Sequence, residues 1–303
     1  MTQPPHDRVV EALRRMLPDR DPAQLGAARY SALAGGVNRR TFLVEVGADR
    51  WVLQLPMPGA PALLDVATEA EAMRAASAAG LAPAVVAVDA ASATLLTEYR
   101  AGAAAWTPAD AREPANIARA ARLLRALHAV QVPIPPYGAE RITRGYLAAL
   151  AAAARAPSPA PEVGDCFGAR GAAWADELVE LARNFDACHP PTALCHNDLA
   201  AANFLDGGGE LLLVDFEYAA RASPLLDLAG LAAMNGFTAP ERRRLLEVYG
   251  DAANAPATPA ELDRVVRMVR LMSYFWAALG AQRAPDPGPY LRLAAELRAE
   301  LLA

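Results

Sequence analysis

The sequence predicts an α/β (α+β) chain in two lobes, a small β-rich one over residues 1–99 and a larger helical one over residues 100–303. Three observations lead there. The 303 residues exceed the usual size of a single-core domain. Short β-rich runs are confined to the first hundred residues, and helical periodicity dominates after Gly102.

Taken in order, Val9, Val10, Leu13, Met16 and Leu17 fall on one helical face and define an N-terminal helix that stops near Pro18. Thr41–Val46 and Trp51–Leu55 read as strands around a turn at Gly47–Asp49. Ala67–Ala79 reads as a helix stopped by Gly80, followed by strands at Val85–Val88 and Thr94–Tyr99. Beyond Gly102, Ile117, Leu123, Leu124 and Leu127 mark one helix and Tyr146–Ala154 another. The run APSPAP, residues 156–161, reads as a surface linker between helices.

Composition narrows the function classes. Hydrophobic residues at 54% against 21% charged exclude a disordered chain. The net charge of -5 is spread over mixed-sign segments, with no basic run to neutralise a phosphate backbone, so nucleic acid is not an expected partner. The first residues, MTQPPHDR, carry no apolar leader, and Leu147–Ala154 is too short to cross a bilayer, so no membrane insertion and a cytoplasmic location are expected. Cys166, Cys188 and Cys195 show no CxxC spacing, and the four histidines make no metal-ligand pattern, which predicts reduced thiols and no structural zinc. All 29 basic residues are arginines.

The informative stretch is TALCHNDLAAANFLDGGGELLLVDFEYA, residues 192–219. Asp206-Gly207-Gly208-Gly209 predicts a hairpin between residues 203–205 and 210–214, which returns Asp215 beside the loop holding Asp198. Phosphoryl transfer needs a carboxylate to orient a hydroxyl and accept its proton, and oxygen ligands for Mg²⁺ on the phosphates. Asp198, Asn203 and Asp215 supply that inventory.

The pattern His196-x-Asp198-x-x-x-x-Asn203, an apolar strand and then Asp215 resembles the catalytic and metal-binding loops of kinase-fold phosphotransferases. The flanking HNDLAAANF, VDFEYA and SPLLDLAGLA are similar to the choline/ethanolamine kinase-like branch of the aminoglycoside phosphotransferase superfamily. The resemblance implies a bilobal protein-kinase-like fold with ATP and Mg²⁺ in the cleft between the lobes. It implies Asp198 as catalytic base, Asn203 and Asp215 as metal ligands, His196 as a buttress of the loop, and Asp227 as a support for the same loop.

In the first lobe, Leu33-Ala34-Gly35-Gly36-Val37-Asn38 resembles the family's glycine loop, where backbone N–H groups approach phosphates. Gly35, Gly36, Asn38 and Arg39 are therefore expected to bind the nucleotide. By the same resemblance Glu71 is the helix glutamate that pairs with a basic residue on the neighbouring strand, and Glu98 lies in the interlobe hinge that holds the adenine edge. The chain departs from the pattern at Gln54, where relatives carry arginine or lysine. A glutamine cannot neutralise phosphate charge, which leaves Arg39 or Arg40 to serve, or nucleotide binding weakened. Gln54→Arg is then expected to strengthen binding.

On the acceptor side the resemblance implies a pocket for a cationic amine, with Tyr218 and Trp276 at aromatic positions. The helix of Trp276 also carries Tyr274 and Phe275, and the alternative reading makes Tyr274, Phe275 and Trp276 core packing, true of at least one of the three. Glu217 has two open roles, attracting a cationic amine or supporting the metal site. The expected partner is a small-molecule hydroxyl substrate, a cationic amino alcohol such as choline or ethanolamine. An aminoglycoside, thiamine or a sugar fits the same loop, and a non-catalytic binding protein fits Gln54; the sequence leaves the oligomeric state open.

Overall fold

The structure is a computed structural model that describes residues 6–33, 39–57, 65–154, 168–250, 257–284 and 286–302. The expected glycine-loop residues Gly35, Gly36 and Asn38, the linker 156–161 and Cys166 lie outside the described residues.

The N-terminal part is a five-stranded antiparallel sheet in the order β1 (Arg29–Ala32), β2 (Arg39–Val46), β3 (Asp49–Pro56), β5 (Thr94–Glu98), β4 (Val85–Asp89). Alternation along β2 and β3 sends Phe42, Val44, Val46, Trp51, Leu53 and Leu55 to one face. There they pack on Val9, Leu13 and Met16 of α1 (His6–Met16) and on Leu25 of α2 (Pro22–Gly26). Gly47 makes the β2–β3 turn with a φ of 62°, a conformation open to a residue without Cβ.

The opposite face carries Gln54 beside Leu95 and looks toward α3 (Val66–Ala78), whose Val66, Ala70 and Met73 share a cluster with Leu95. Asp65 caps α3, accepting from the Ala67 and Thr68 amides at 3.0 and 3.2 Å. The cluster continues into the rest of the chain, because Leu81, just after α3, accepts from the Leu213 amide at 2.8 Å.

The C-terminal part is helical: α4 (Pro108–Arg112), α5 (Pro114–His128), α6 (Ala139–Ala153), α7 (Ala169–Cys188), α8 (Pro224–Met234), α9 (Ala239–Tyr249), α10 (Pro259–Arg283) and α11 (Gly288–Leu302). Between α7 and α8 lie β7 (Ala193–Cys195), β8 (Phe204–Asp206), β9 (Leu211–Leu213) and β10 (Ala220–Ala222). The hairpin expected around Asp206–Gly209 forms, with Phe204 opposite Leu213 and Asp206 opposite Leu211. It is shorter than the sequence suggests. Asn203 leaves it for a 3₁₀ turn over Ala201–Asn203, and β6 (Ala104–Ala105) adds to its free edge. No described helix is long and apolar enough to cross a membrane.

Candidate active site

The loop from His196 to Asn203 is held by buried hydrogen bonds before any ligand is considered. His196 is fully buried, and its Nδ1 accepts from the Asp198 amide at 3.3 Å. That leaves the proton on Nε2, which donates to the Val214 carbonyl at 2.9 Å and ties the loop to the strand leading into Asp215. Asp227 closes the loop from below. Its two oxygens accept from the backbone amides of His196 and Asn197 at 2.9 and 2.8 Å, and His128 Nε2 adds a contact at 3.0 Å.

Burial opposes charge on Asp227, but His128 and the two amides outweigh it and hold the carboxyl below its ordinary range. His128 in turn meets the Tyr249 hydroxyl at 2.7 Å. His128, Cys195 and Asp227 come together here, a grouping the sequence does not display. The Asp227 oxygens are already taken by hydrogen bonds, so the group reads as a loop support.

Asn197, between His196 and Asp198, has a φ of 63°, in the left-handed region that asparagine tolerates better than most residues. Its side chain donates to the Tyr218 carbonyl at 2.9 Å. Asn235 of α8's C-terminus accepts from the Ala201 amide and donates to the Leu199 carbonyl, each at 2.8 Å.

Asp198 and Asn203 meet directly. Asn203 Nδ2 donates to the Asp198 carbonyl at 2.8 Å and to its Oδ2 at 3.0 Å. With its nitrogen so committed, Asn203 turns its amide oxygen elsewhere as an acceptor. Burial pushes the Asp198 carboxyl up, and the Asp215 charge adds to this while His196 and Asn203 oppose it. Asp215 has a φ of 66°, a costly conformation for a residue with a Cβ, at the start of the DFE turn. Gln54 Nε2 reaches its Oδ1 at 3.4 Å across the cleft.

The ion pair between helix and sheet forms with different residues from those expected. Glu71 is exposed; Glu69 is buried and meets Arg39 of β2 at 2.5 Å. Helical geometry explains the correction. Val66, Glu69, Ala70 and Met73 line the buried face of α3 at 3.6-residue spacing, and position 71 falls on the far side. Burial pushes the Glu69 carboxyl up, against the pull of Arg39 and with a smaller push from Asp215.

Glu98 ends β5 with its side chain on Arg100 at 3.2 Å. Its amide donates to the Ala84 carbonyl and the Tyr99 amide to the Arg50 carbonyl, so neither amide is open to a base edge.

Glu217 and Tyr218 follow Asp215 and are half-buried. Trp276 of α10 is half-buried too, whereas Tyr274 and Phe275 beside it are core residues. The Trp276 and Tyr290 rings lie 5.4 Å apart. Tyr290 fits because Gly280 has no side chain: a Cβ there would stand 2.1 Å from the tyrosine ring. Burial pushes the Tyr146 phenol up to about 12 and raises that of Tyr290, and in both the Glu217 charge adds to the effect. Glu217, two residues after Asp215, thus acts electrostatically on Tyr146 and Tyr290, and Tyr290 packs on Trp276.

A model of the phosphotransferase enzyme family matches residues 29–265, a span that takes in the sheet, the ion pair and the whole His196–Asn203 loop. The chain belongs to the phosphotransferase enzyme family. That membership carries the activity class expected from the sequence, ATP-dependent phosphoryl transfer. No curated protein sequence matches this phosphotransferase significantly.

Among solved structures, it is similar to the choline/ethanolamine kinase family protein from Mesorhizobium loti, at 28% identity over 98% of this chain and 95% of that one, with a TM-score of 0.69. It is also similar to the choline kinase LicA from Streptococcus pneumoniae, at 17% identity over 98% of each chain and a TM-score of 0.75. The Plasmodium vivax ethanolamine kinase aligns at 12% identity over 99% of this chain and 96% of that one, with a TM-score of 0.76. At these identities the last two likenesses show the fold, the bilobal kinase-like arrangement expected from the sequence.

Sequence reasoning missed Glu69, Asn235, Tyr146 and Tyr290 in this phosphotransferase. For Glu69 the signal existed: it lies three residues after Val66 and four before Met73 on an apolar face, and an acid there needs a partner. Gly280, four residues after Trp276, could have pointed to a ring packed on that face. Tyr146 and Asn235 carry no local signal.

Proposed function

We propose that this phosphotransferase moves the γ-phosphoryl of ATP to the hydroxyl of a cationic amino alcohol such as choline or ethanolamine. Asp198 is the base, Asn203 and Asp215 hold Mg²⁺, and Glu217, Tyr218 and Trp276, joined by Tyr146 and Tyr290, take the ammonium end. The observation that carries this reading is the meeting of Asp198 and Asn203 on a preorganised loop, with the charge of Glu217, two residues after Asp215, acting on Tyr146 and on the Tyr290 that packs on Trp276.

The donor set fits the metal. The Asn203 amide oxygen and the Asp215 carboxylate are hard oxygen ligands of the kind Mg²⁺ takes alongside phosphate oxygens. Bound there, the ion neutralises charge on the phosphates. Asp198 orients the acceptor hydroxyl and takes its proton as the oxygen attacks the γ-phosphorus in line, and the bond to the bridging oxygen breaks to release ADP. The Asn203 amide holds the Asp198 carboxylate in place for that proton transfer. His196 keeps the loop backbone aimed. The nucleotide lies against the segment holding Gly35, Gly36 and Asn38 and against Arg39; exposed Glu71 takes no part, and the amides of Glu98 and Tyr99 are already taken.

The deciding experiment is Mg²⁺-dependent ATP turnover against a panel of amino alcohols, aminoglycosides, thiamine and sugars, with Asp198→Ala as the blank. Turnover with choline or ethanolamine supports both the chemistry and the pocket. Turnover with another acceptor alone would reassign the pocket. Nucleotide binding with silence across the panel would favour the second reading, a non-catalytic nucleotide or amine binder, which Gln54 in place of a strand cation motivates.

A further inference from the structure

The cleft face of the sheet carries an exchange between two strands. Thr41 pairs with Gln54 and Arg39 with Pro56, so Arg39 and Gln54 are diagonal neighbours on the same face. Gln54 sends its Nε2 to Asp215 at 3.4 Å and carries no charge. Arg39 carries the charge instead, buried at 2% exposure against Glu69 at 1%.

The buried pair is incomplete as a structural device. Beyond the Nη2–Oε2 contact with Glu69 at 2.5 Å, Nε and Nη1 of Arg39 have no hydrogen-bond partner among the described residues, and neither has Glu69 Oε1. A guanidinium offers five N–H donors, and leaving them unfilled in a buried site is costly. A helix glutamate alone is a poor reason to bury an arginine at a strand end facing the metal loop. A polyphosphate, with several oxygens in the plane of the fork, fills such donors as charge-assisted hydrogen bonds.

We propose that Arg39 on β2 is the phosphate-gripping cation of this chain, and that Gln54 on β3 is a positioning residue that steadies the Asp215 carboxylate without neutralising it. The two strand positions have divided one task between them. Glu69 presents the guanidinium, as a carboxylate on α3 can when it lies opposite the strand. This rests on the nucleotide-binding reading above and gives to Arg39 the phosphate-charge role that the sequence leaves between Arg39 and Arg40. It also reverses the sequence expectation for Gln54→Arg: a second guanidinium would enter beside Arg39 and pair with the carboxylate meant for the metal.

The test is titration calorimetry of ADP with Mg²⁺ on the full chain. Arg39→Gln is made together with Glu69→Gln, so that no buried charge is left unpaired, and unfolding midpoints confirm that the proteins are folded. The expected result is a loss of affinity of about tenfold or more for the double variant, the equivalent of about 1.4 kcal/mol, and no gain for Gln54→Arg alone. Wild-type affinity in the double variant, or tighter binding by Gln54→Arg, would overturn the exchange while leaving the kinase reading intact. Absence of ADP binding by the unmodified chain would sink both.

Discussion

At the scale of single residues, the site depends on groups that never meet a substrate. Asp227 accepts two loop amides and touches His128 in a fully buried position, so its removal strands all three. Asp227→Ala is expected to destabilise the protein by about 3–5 kcal/mol, the usual cost of breaking a buried charged group from its partners; denaturant unfolding measures it. Gly280→Ala tests the acceptor side. Its new methyl would stand 2.1 Å from the Tyr290 ring, so the ring must move. A cost of about 1–3 kcal/mol is expected from overpacking, together with a raised KM for the amino alcohol and an unchanged KM for ATP. An unchanged amino-alcohol KM would remove Tyr290 from the pocket.

At the scale of elements, the hairpin of β8 and β9 shows how local sequence holds the site in place. Asp206 accepts from its own turn at the Gly208 amide, 2.8 Å, from Trp106 Nε1 at 3.0 Å and from Arg119 Nη2 at 2.7 Å, and so joins the hairpin to α5. The Arg119 hydrogen bond, aided by Trp106 and Gly208 against slight burial, holds the Asp206 carboxyl well below the ordinary carboxylate range. A carboxyl whose folded value lies below its unfolded one, about 4, contributes stability that is fully present above that value and is lost as pH falls through the folded one. The thermal unfolding midpoint should therefore drop as pH falls below about 4. Asp206→Asn should cost about 1–3 kcal/mol at neutral pH and flatten that acid limb; an unchanged pH profile would contradict the assignment.

The same elements show what a sequence can display. The turn at Asp206–Gly209 was legible because aspartate and three glycines between apolar runs permit little else. The β2–β3 hairpin and α3 were legible for similar reasons of period and punctuation. β6, β7 and β10, two or three residues each, were not, since alternation cannot register over so short a run. Asp198, Asn203 and Asp215 could be singled out because their spacing lies within one loop and hairpin. Tyr146 and Tyr290 come from separate helices, and only packing brings them toward Glu217. Glu71 was chosen over Glu69 by alignment to a pattern, where counting the buried face of α3 would have chosen correctly.

At the scale of the whole molecule, two apolar clusters divide the labour. One fixes α1 and α2 to the outer face of the sheet; the other runs from α3 through the hairpin to α8 and α10. The His196–Asn203 loop lies along the second, so the cleft face of the sheet and the loop are set against each other by apolar packing, with Gln54 and Asp215 meeting across the gap. Phosphoryl transfer asks mainly for positioned groups and fixed charges, and this arrangement supplies them from parts of the chain more than a hundred residues apart.

The most direct test of that account is ATP turnover by Asp198→Ala, with choline or ethanolamine as acceptor, measured beside its ADP affinity. The account predicts turnover lower by about two to four orders of magnitude, the usual worth of a positioned base, with ADP binding and the unfolding midpoint nearly unchanged. Turnover equal to that of the unmodified protein would contradict it, because Asp198 is the one carboxylate in the sequence of the His196–Asn203 loop.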